Sequence, residues 1–76
     1  KRIIECVPNF SEGRNRQVIG SIVAAIAGVQ GVKVLNVDPG EATNRTVVTF
    51  VGEPEPVLEA AFLGAAKAKE LIDMRQ

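Results

Sequence analysis

Between Asp38 and Thr46 the chain reads Asp-Pro-Gly-Glu-Ala-Thr-Asn-Arg-Thr, which gathers a carboxylate, an amide, a guanidinium and two hydroxyls around one tight turn. Pro39 and Gly40 suit a turn, but a turn does not require Asn44, Arg45 and Thr46 directly after it. Those three polar residues lead into an apolar strand, Val47 to Val51, and polar groups crowded at the start of a strand point to a ligand surface more than to a scaffold. A second polar cluster, Pro8-Asn9-Phe10-Ser11-Glu12-Gly13, follows the first apolar run. Such groups can bind and orient a polar substrate. They are poorly equipped to move a proton near neutral pH, because the chain contains no His, the side chain that titrates there without help.

The elements that position these residues follow from the pattern of apolar side chains. Ile3 to Val7 alternates like a strand, with Ile4 and Cys6 on one face, and Pro8 ends it. Residues 9–13 are expected to form a polar loop closed by Gly13. From about Asn15 to Ala27, Val18, Ile22 and Ile26 recur every four residues with Ile19 and Val23 beside them, the stripe of an amphipathic helix. Ser11 or Asn15 can cap its start, and Gly28 and Gly31 bracket its stop. Gly20 is expected to let this helix pack closely on a sheet. Val32 to Val37 reads as a second strand, 38–43 as a turn and Asn44 to Val51 as a third strand, the last two forming an antiparallel hairpin. Pro54 and Pro56 open a second helix, with Glu53, Glu55 and Glu59 near its positive end and Lys67, Lys69 and Arg75 toward the other. Its apolar face is expected to comprise Leu58, Ala61, Phe62, Ala65, Ala68 and Ile72.

The order β-α-β-β-α is that of an α+β, ferredoxin-like split βαβ sandwich without its final strand. In the complete unit a fourth strand lies beside the first, so the first strand is here expected to be an uncovered edge. At 76 residues the chain forms one small domain, marginal alone. Nine basic and nine acidic residues cancel, which gives no electrostatic reason to expect a nucleic acid or a membrane surface as partner. No strand carries the paired aromatics that stack bases. The single Cys excludes an internal disulfide and suits a reducing cytoplasm, and the apolar runs fall well short of the ~20 residues of a membrane span. No signal peptide and no metal site are expected.

Three segments carry a family resemblance: Glu5-Cys6-Val7-Pro8-Asn9-Phe10-Ser11-Glu12-Gly13; Asp38-Pro39-Gly40 with Thr43-Asn44-Arg45-Thr46-Val47; and Thr49-Phe50-Val51-Gly52. Leu71-Ile72-Asp73-Met74 adds to them. In this order and spacing they resemble the N-terminal subdomain of the glutamate formimidoyltransferases (formiminotransferases), over Ile4 to Met74. Glu41-Ala42 departs from the family, where many members carry a small residue or Pro and then Ser. The resemblance implies transfer of a formimino group from N-formimidoyl-L-glutamate to tetrahydrofolate in histidine breakdown, in the cytoplasm, with the folate held between two ferredoxin-like subdomains. It also implies a catalytic His in a His-x-Gly-Glu-His-Pro-Arg-like segment that would begin just after Gln76, so residues 1–76 alone are expected to be inactive. Implied partners are the two substrates, the second subdomain or another copy of the chain, and a homo-oligomeric assembly.

On the same basis Asp38 is the candidate for supporting that His from outside its ring, and Asn9, Asn44, Arg45 and Thr46 are candidates for binding substrate or folate. Arg45 offers a fork that fits a carboxylate, and Asn9 an amide that both donates and accepts. Residue chemistry alone reads these positions more plainly: Asp38 in a turn, Asn9 and Asn44 as loop or cap residues, Arg45 on a solvated face. Cys6 reads as core and Ser11 as a cap, and the resemblance changes neither. The alternative function is a non-catalytic module that binds a small ligand or self-associates through the edge of its first strand.

Overall fold

Pro8 interrupts the first strand without ending it. The computed structural model describes residues 2–73. In it Ile4–Cys6 forms β1 and Asn9–Phe10 forms β2. Both pair antiparallel with the same partner, Cys6 with Phe50 and Asn9 with Val47, so the register is unchanged across the proline. Pro8 has no N–H, but its carbonyl accepts from the Val48 N–H at 3.1 Å and keeps the ladder tied. The expected loop therefore begins two residues late. Phe10, only 7% exposed, pins β2 to the core.

Helix α1, Arg16–Ala27, starts where Asn15 supplies its cap: the side-chain carbonyl accepts from the N–H groups of Gln17 (3.0 Å) and Val18 (3.2 Å). Ser11 takes no part in this. Val18, Ile19, Ile22 and Ile26 are buried, as their spacing requires. Gly20 does not touch the sheet; it is exposed, with open space where a Cβ would stand.

Strand β3, Val32–Gly40, and strand β4, Arg45–Gly52, form the antiparallel hairpin. A register shift between Val34 and Asn36 leaves Leu35 turned outward and 51% exposed. This irregularity lets Val34 and Val37, an odd number of residues apart, both pack against the core. The strand runs three residues further than its apolar pattern predicts, through Asp38-Pro39-Gly40. Proline is tolerated there because β3 pairs with β4 on one side only among the described residues. The turn is thereby confined to 41–44, with the Asn44 N–H donating to the Glu41 carbonyl at 3.3 Å. Asn44 belongs to this turn rather than to the strand, with φ of 57°.

Central strand β4 thus has β1 and β2 on one flank and β3 on the other, all antiparallel. Both helices cover the same side of this sheet, the arrangement of a split βαβ unit. Helix α2, Pro54–Asp73, begins at the expected prolines and packs Ala61, Ala68 and Ile72 of its expected face on the core, but turns Leu58, Phe62 and Ala65 outward. Val57, Ala60, Gly64 and Ala68 are buried, whereas Leu58 is 72% and Phe62 70% exposed. Small residues face inward because α1 lies close: a Cβ on Gly64 would stand 2.9 Å from Ile26 Cδ1. Close helix approach has selected size over hydrophobicity. The expected charge at Arg75 lies outside the described residues.

This orientation predicts an inverted pair of outcomes in urea unfolding. Leu58→Ala is expected to change stability by less than about 0.5 kcal/mol, as exposed sites do. Ala60→Leu is expected to cost about 1–3 kcal/mol through overpacking. The reverse ranking would contradict the helix orientation.

Candidate functional site

The loop from Ser11 to Asn15 is clamped to the hairpin end by main-chain and side-chain bonds. The Thr46 hydroxyl, buried on the helix side of the sheet, donates to the Glu12 carbonyl. The Gly13 N–H donates to Asn44 Oδ1 at 3.0 Å, and Arg14 Nε donates to the Glu41 carbonyl at 2.9 Å. Glu12 is buried at 1% exposure, and its Oε2 accepts from the N–H groups of Arg14 (3.1 Å) and Asn15 (2.9 Å). It thereby braces the loop just ahead of α1. Gly13 is obligatory in this packing: a Cβ would stand 2.4 Å from the Gly40 carbonyl oxygen and 2.6 Å from the Arg45 nitrogen, both backbone atoms that cannot yield.

The side of the sheet away from the helices carries the remaining candidates. Along β4, Thr46, Val48, Phe50 and Gly52 are buried, while Arg45 is exposed and Val47, Thr49 and Val51 are half-buried. Strand alternation puts this second set on the open side. The pairing then aligns Asn9 of β2, Val47 of β4 and Asp38 of β3 in one row across the sheet. Asn9 and Asp38 are both exposed and stand two strands apart, about 10 Å between backbones. Arg45 lies on the same face two residues from Val47, opposite Gly40. Asn36 opposes Thr49, and Glu5, Val51 and Lys33 form a further row. The open side is therefore an aliphatic strip of β-branched residues bordered by an amide, carboxylates and cations.

Of the five candidate residues, the fold brings Asn9, Asp38 and Arg45 to this face and turns Thr46 to the other. Asn44 sits at the turn with its side-chain oxygen engaged by Gly13. Asp38 lies within β3 rather than at a strand end. Glu12 had no predicted role; a carboxylate three residues ahead of a capping Asn was the available signal. Lys33 and Asn36 were also missed: strict alternation sets them on opposite faces, and the register shift between Val34 and Asn36 is what brings both to the open side. Two concave features lie elsewhere. A groove of about 640 Å³ between α1 and β3 is lined by Arg14, Arg16, Ile19, Val37 and Pro39, none of them a candidate. Another, of about 450 Å³, follows the edge of β2 beneath α2, with Asn9 at its rim. Among the described residues no cluster of His, Cys, Asp and Glu suited to a metal ion occurs, and no helix is long and apolar enough to cross a membrane.

Comparison with known proteins bears directly on this arrangement. Residues 3–76 match the family model of the formiminotransferase domain, N-terminal subdomain. The chain is 55% identical over 75 residues to formimidoyltransferase-cyclodeaminase of Rattus norvegicus, covering 99% of this chain and 14% of that protein. It is 49% identical over 72 residues to glutamate formimidoyltransferase of Thermoplasma acidophilum, covering 95% of this chain and 24% of the relative. With glutamate formimidoyltransferase of Streptococcus pyogenes it shares 44% identity over 73 residues, 96% of this chain and again 24% of the relative. The chain thus spans about a seventh to a quarter of the length of these relatives. It belongs to the formiminotransferase N-terminal subdomain family, a family of transferases.

The clamp makes its own prediction. Asn44→Gly keeps the left-handed backbone and loses the side-chain bond, so about 1 kcal/mol is expected to disappear. Asn44→Ala loses the bond and strains the backbone as well, for about 2–3 kcal/mol. Urea titration gives the ranking, and faster hydrogen exchange at the Gly13 amide in both variants identifies the cause. An alanine variant as stable as the parent would refute the clamp.

Proposed function

We propose that this chain supplies one wall of the substrate site of a folate-dependent glutamate formimidoyltransferase, with the open side of its sheet as that wall. The reaction moves a formimino group from N-formimidoyl-L-glutamate to tetrahydrofolate, as one step of histidine breakdown in the cytoplasm. Membership of a formiminotransferase family supports the reaction type. The observation that carries the site is the row Asn9–Val47–Asp38 with Arg45 beside it, on the one face of the sheet that neither helix covers.

The chemistry of this face suits the folate. The β-branched strip of Val47, Thr49 and Val51 offers a flat apolar seat for a ring, and Asn9 at its border can both donate to and accept from ring nitrogens and oxygens. Arg45 presents an exposed guanidinium, whose fork matches the carboxylates on glutamate and on a folate tail. Tetrahydrofolate, as acceptor, supplies the nucleophilic nitrogen. In the transfer one C–N bond to glutamate breaks and one C–N bond to the folate forms; the folate nitrogen loses a proton and the glutamate nitrogen gains one. A proton shuttle near neutral pH is therefore needed, and the chain has no His to provide it. We assign that shuttle to a His beyond these residues. Asp38, exposed on the open face, is our candidate to accept a hydrogen bond from such a ring, which would fix its tautomer and stabilise its charged form. Asn44 and Thr46 contribute by holding the hairpin end in place.

Two measurements test this reading. The 76-residue chain, given both substrates, is expected to show no turnover; measurable transfer would contradict the assignment of the shuttle. Binding of a stable folate by the chain, followed by calorimetry, is expected to weaken about tenfold or more in Arg45→Met, the cost of losing a charged partner. Lys67→Met, on the helix side, is expected to leave it unchanged. Equal losses in both variants would argue against the open face.

A further inference from the structure

Helix α1 and strand β3 leave a groove of about 640 Å³ between them, on the side of the sheet away from Asn9, Asp38 and Arg45. Its volume falls in the range of small-molecule sites, roughly 300–1,000 Å³. Arg16, Ile19, Gly20 and Val23 follow the helical spacing that places residues on one flank of α1. Val37 and Pro39, alternate residues of β3, form the opposite wall. They flank Asp38, which faces the other way, so the groove lies directly behind that residue. Gly20 leaves the middle open, with no atom within 4 Å of where its Cβ would stand. The charge is gathered at the hairpin end, on Arg14, Arg16 and Glu41. There Arg14 Nε donates to the Glu41 carbonyl at 2.9 Å, which fixes the guanidinium plane and leaves its two terminal nitrogens to other acceptors. Neither arginine takes part in the ion pair between Lys67 and Glu70.

We propose that this groove is a second ligand site, for a small monoanion with an apolar body, of the class of a medium-chain carboxylate. The carboxylate sits at the hairpin end and accepts from the forks of Arg14 and Arg16. The hydrocarbon lies along Ile19, Val23 and Val37, where it leaves water. Two guanidinium groups against the one carboxylate of Glu41 leave a net single positive charge at the hairpin end, which matches a monoanion better than a dianionic phosphate. An extended peptide suits the groove less well. The register shift between Val34 and Asn36 interrupts the free edge of β3, and Pro39 offers no N–H to a further strand. The site does not depend on the folate wall, since the sheet separates the two.

Titration of the chain with octanoate, followed by the NMR shifts of its methyl groups, tests this directly. Saturable shifts at Ile19, Val23 and Val37 are expected, and a stable folate is expected not to reverse them. Acetate, which keeps the head, and n-octanol, which keeps the body, are each expected to bind about tenfold more weakly or worse. Octyl phosphate is expected to bind no more tightly than octanoate. Arg16→Met is expected to weaken octanoate about tenfold. Gly20→Leu is expected to abolish binding by filling the groove while its urea midpoint rises, because a glycine within a helix weakens it. Loss of binding in that variant is then not loss of fold. The absence of saturable shifts at these methyls overturns the proposal. So does n-octanol binding as tightly as octanoate, or octyl phosphate binding more tightly, or a Gly20→Leu variant that binds like the parent. Displacement by the folate would put both ligands in one site and overturn it equally.

Discussion

The backbone of Gly13 lies against the backbone of Gly40 and Arg45 more closely than any side chain would permit, and much of the molecule's usable geometry follows from that contact. It brings the loop after β2 onto the tip of the β3–β4 hairpin. Around it, Asn44 accepts from the Gly13 amide, Thr46 donates to the Glu12 carbonyl, and the buried Glu12 carboxylate gathers the amides ahead of α1. Two segments thirty residues apart in sequence are thereby joined at one corner. Arg45 and Asp38 stand beside that corner on the hairpin, and Asn9 stands beside it on the first strand. Their mutual placement is set by the pairing of β2 and β3 with β4, and the clamp ties the hairpin end that carries two of them to the loop ahead of α1.

The sheet divides the work between its two sides. Facing the helices, Val48, Phe50, Ile22 and Ile26 are almost wholly buried and supply the hydrophobic drive for folding. Facing away, Val47, Thr49 and Val51 are only half-covered and are bordered by polar side chains. A small domain that leaves one sheet face open gives up burial it can use, and such a surface commonly meets a ligand or another domain. The relatives are four to seven times longer than the stretch they share with this chain, which is consistent with a second wall contributed from elsewhere in such proteins.

Much of this was legible in the sequence. Helical periodicity in Val18, Ile22 and Ile26 located α1 and its buried stripe, and the hairpin followed from two β-branched runs around a turn. The misreadings have specific physical causes. Leu58 and Phe62 looked like core because they are large, but the close approach of α1 at Gly64 excludes large side chains there and admits Ala60 and Ala68. Asp38-Pro39-Gly40 looked like a turn because Pro and Gly favour one; an outer strand tolerates both, so the turn moved to 41–44. For the candidate site, the family resemblance singled out Asn9, Asp38 and Arg45, which residue chemistry alone reads as loop, turn and solvated face, and register then showed that they share a face. Asn44 and Thr46 could not be separated from them by type alone, because an amide or hydroxyl left exposed on a sheet face and one that ties down a loop look identical in sequence.

The central claim is that the open side of the sheet, and not either groove on the helix side, receives the folate. The most direct test is intermolecular NOE measurement between a bound stable folate and the methyl groups of the chain. Contacts from the ligand's ring protons to the methyls of Val47, Thr49 and Val51 are the predicted result. Contacts instead to Ile19, Val23 and Val37, in the groove between α1 and β3, would contradict the claim.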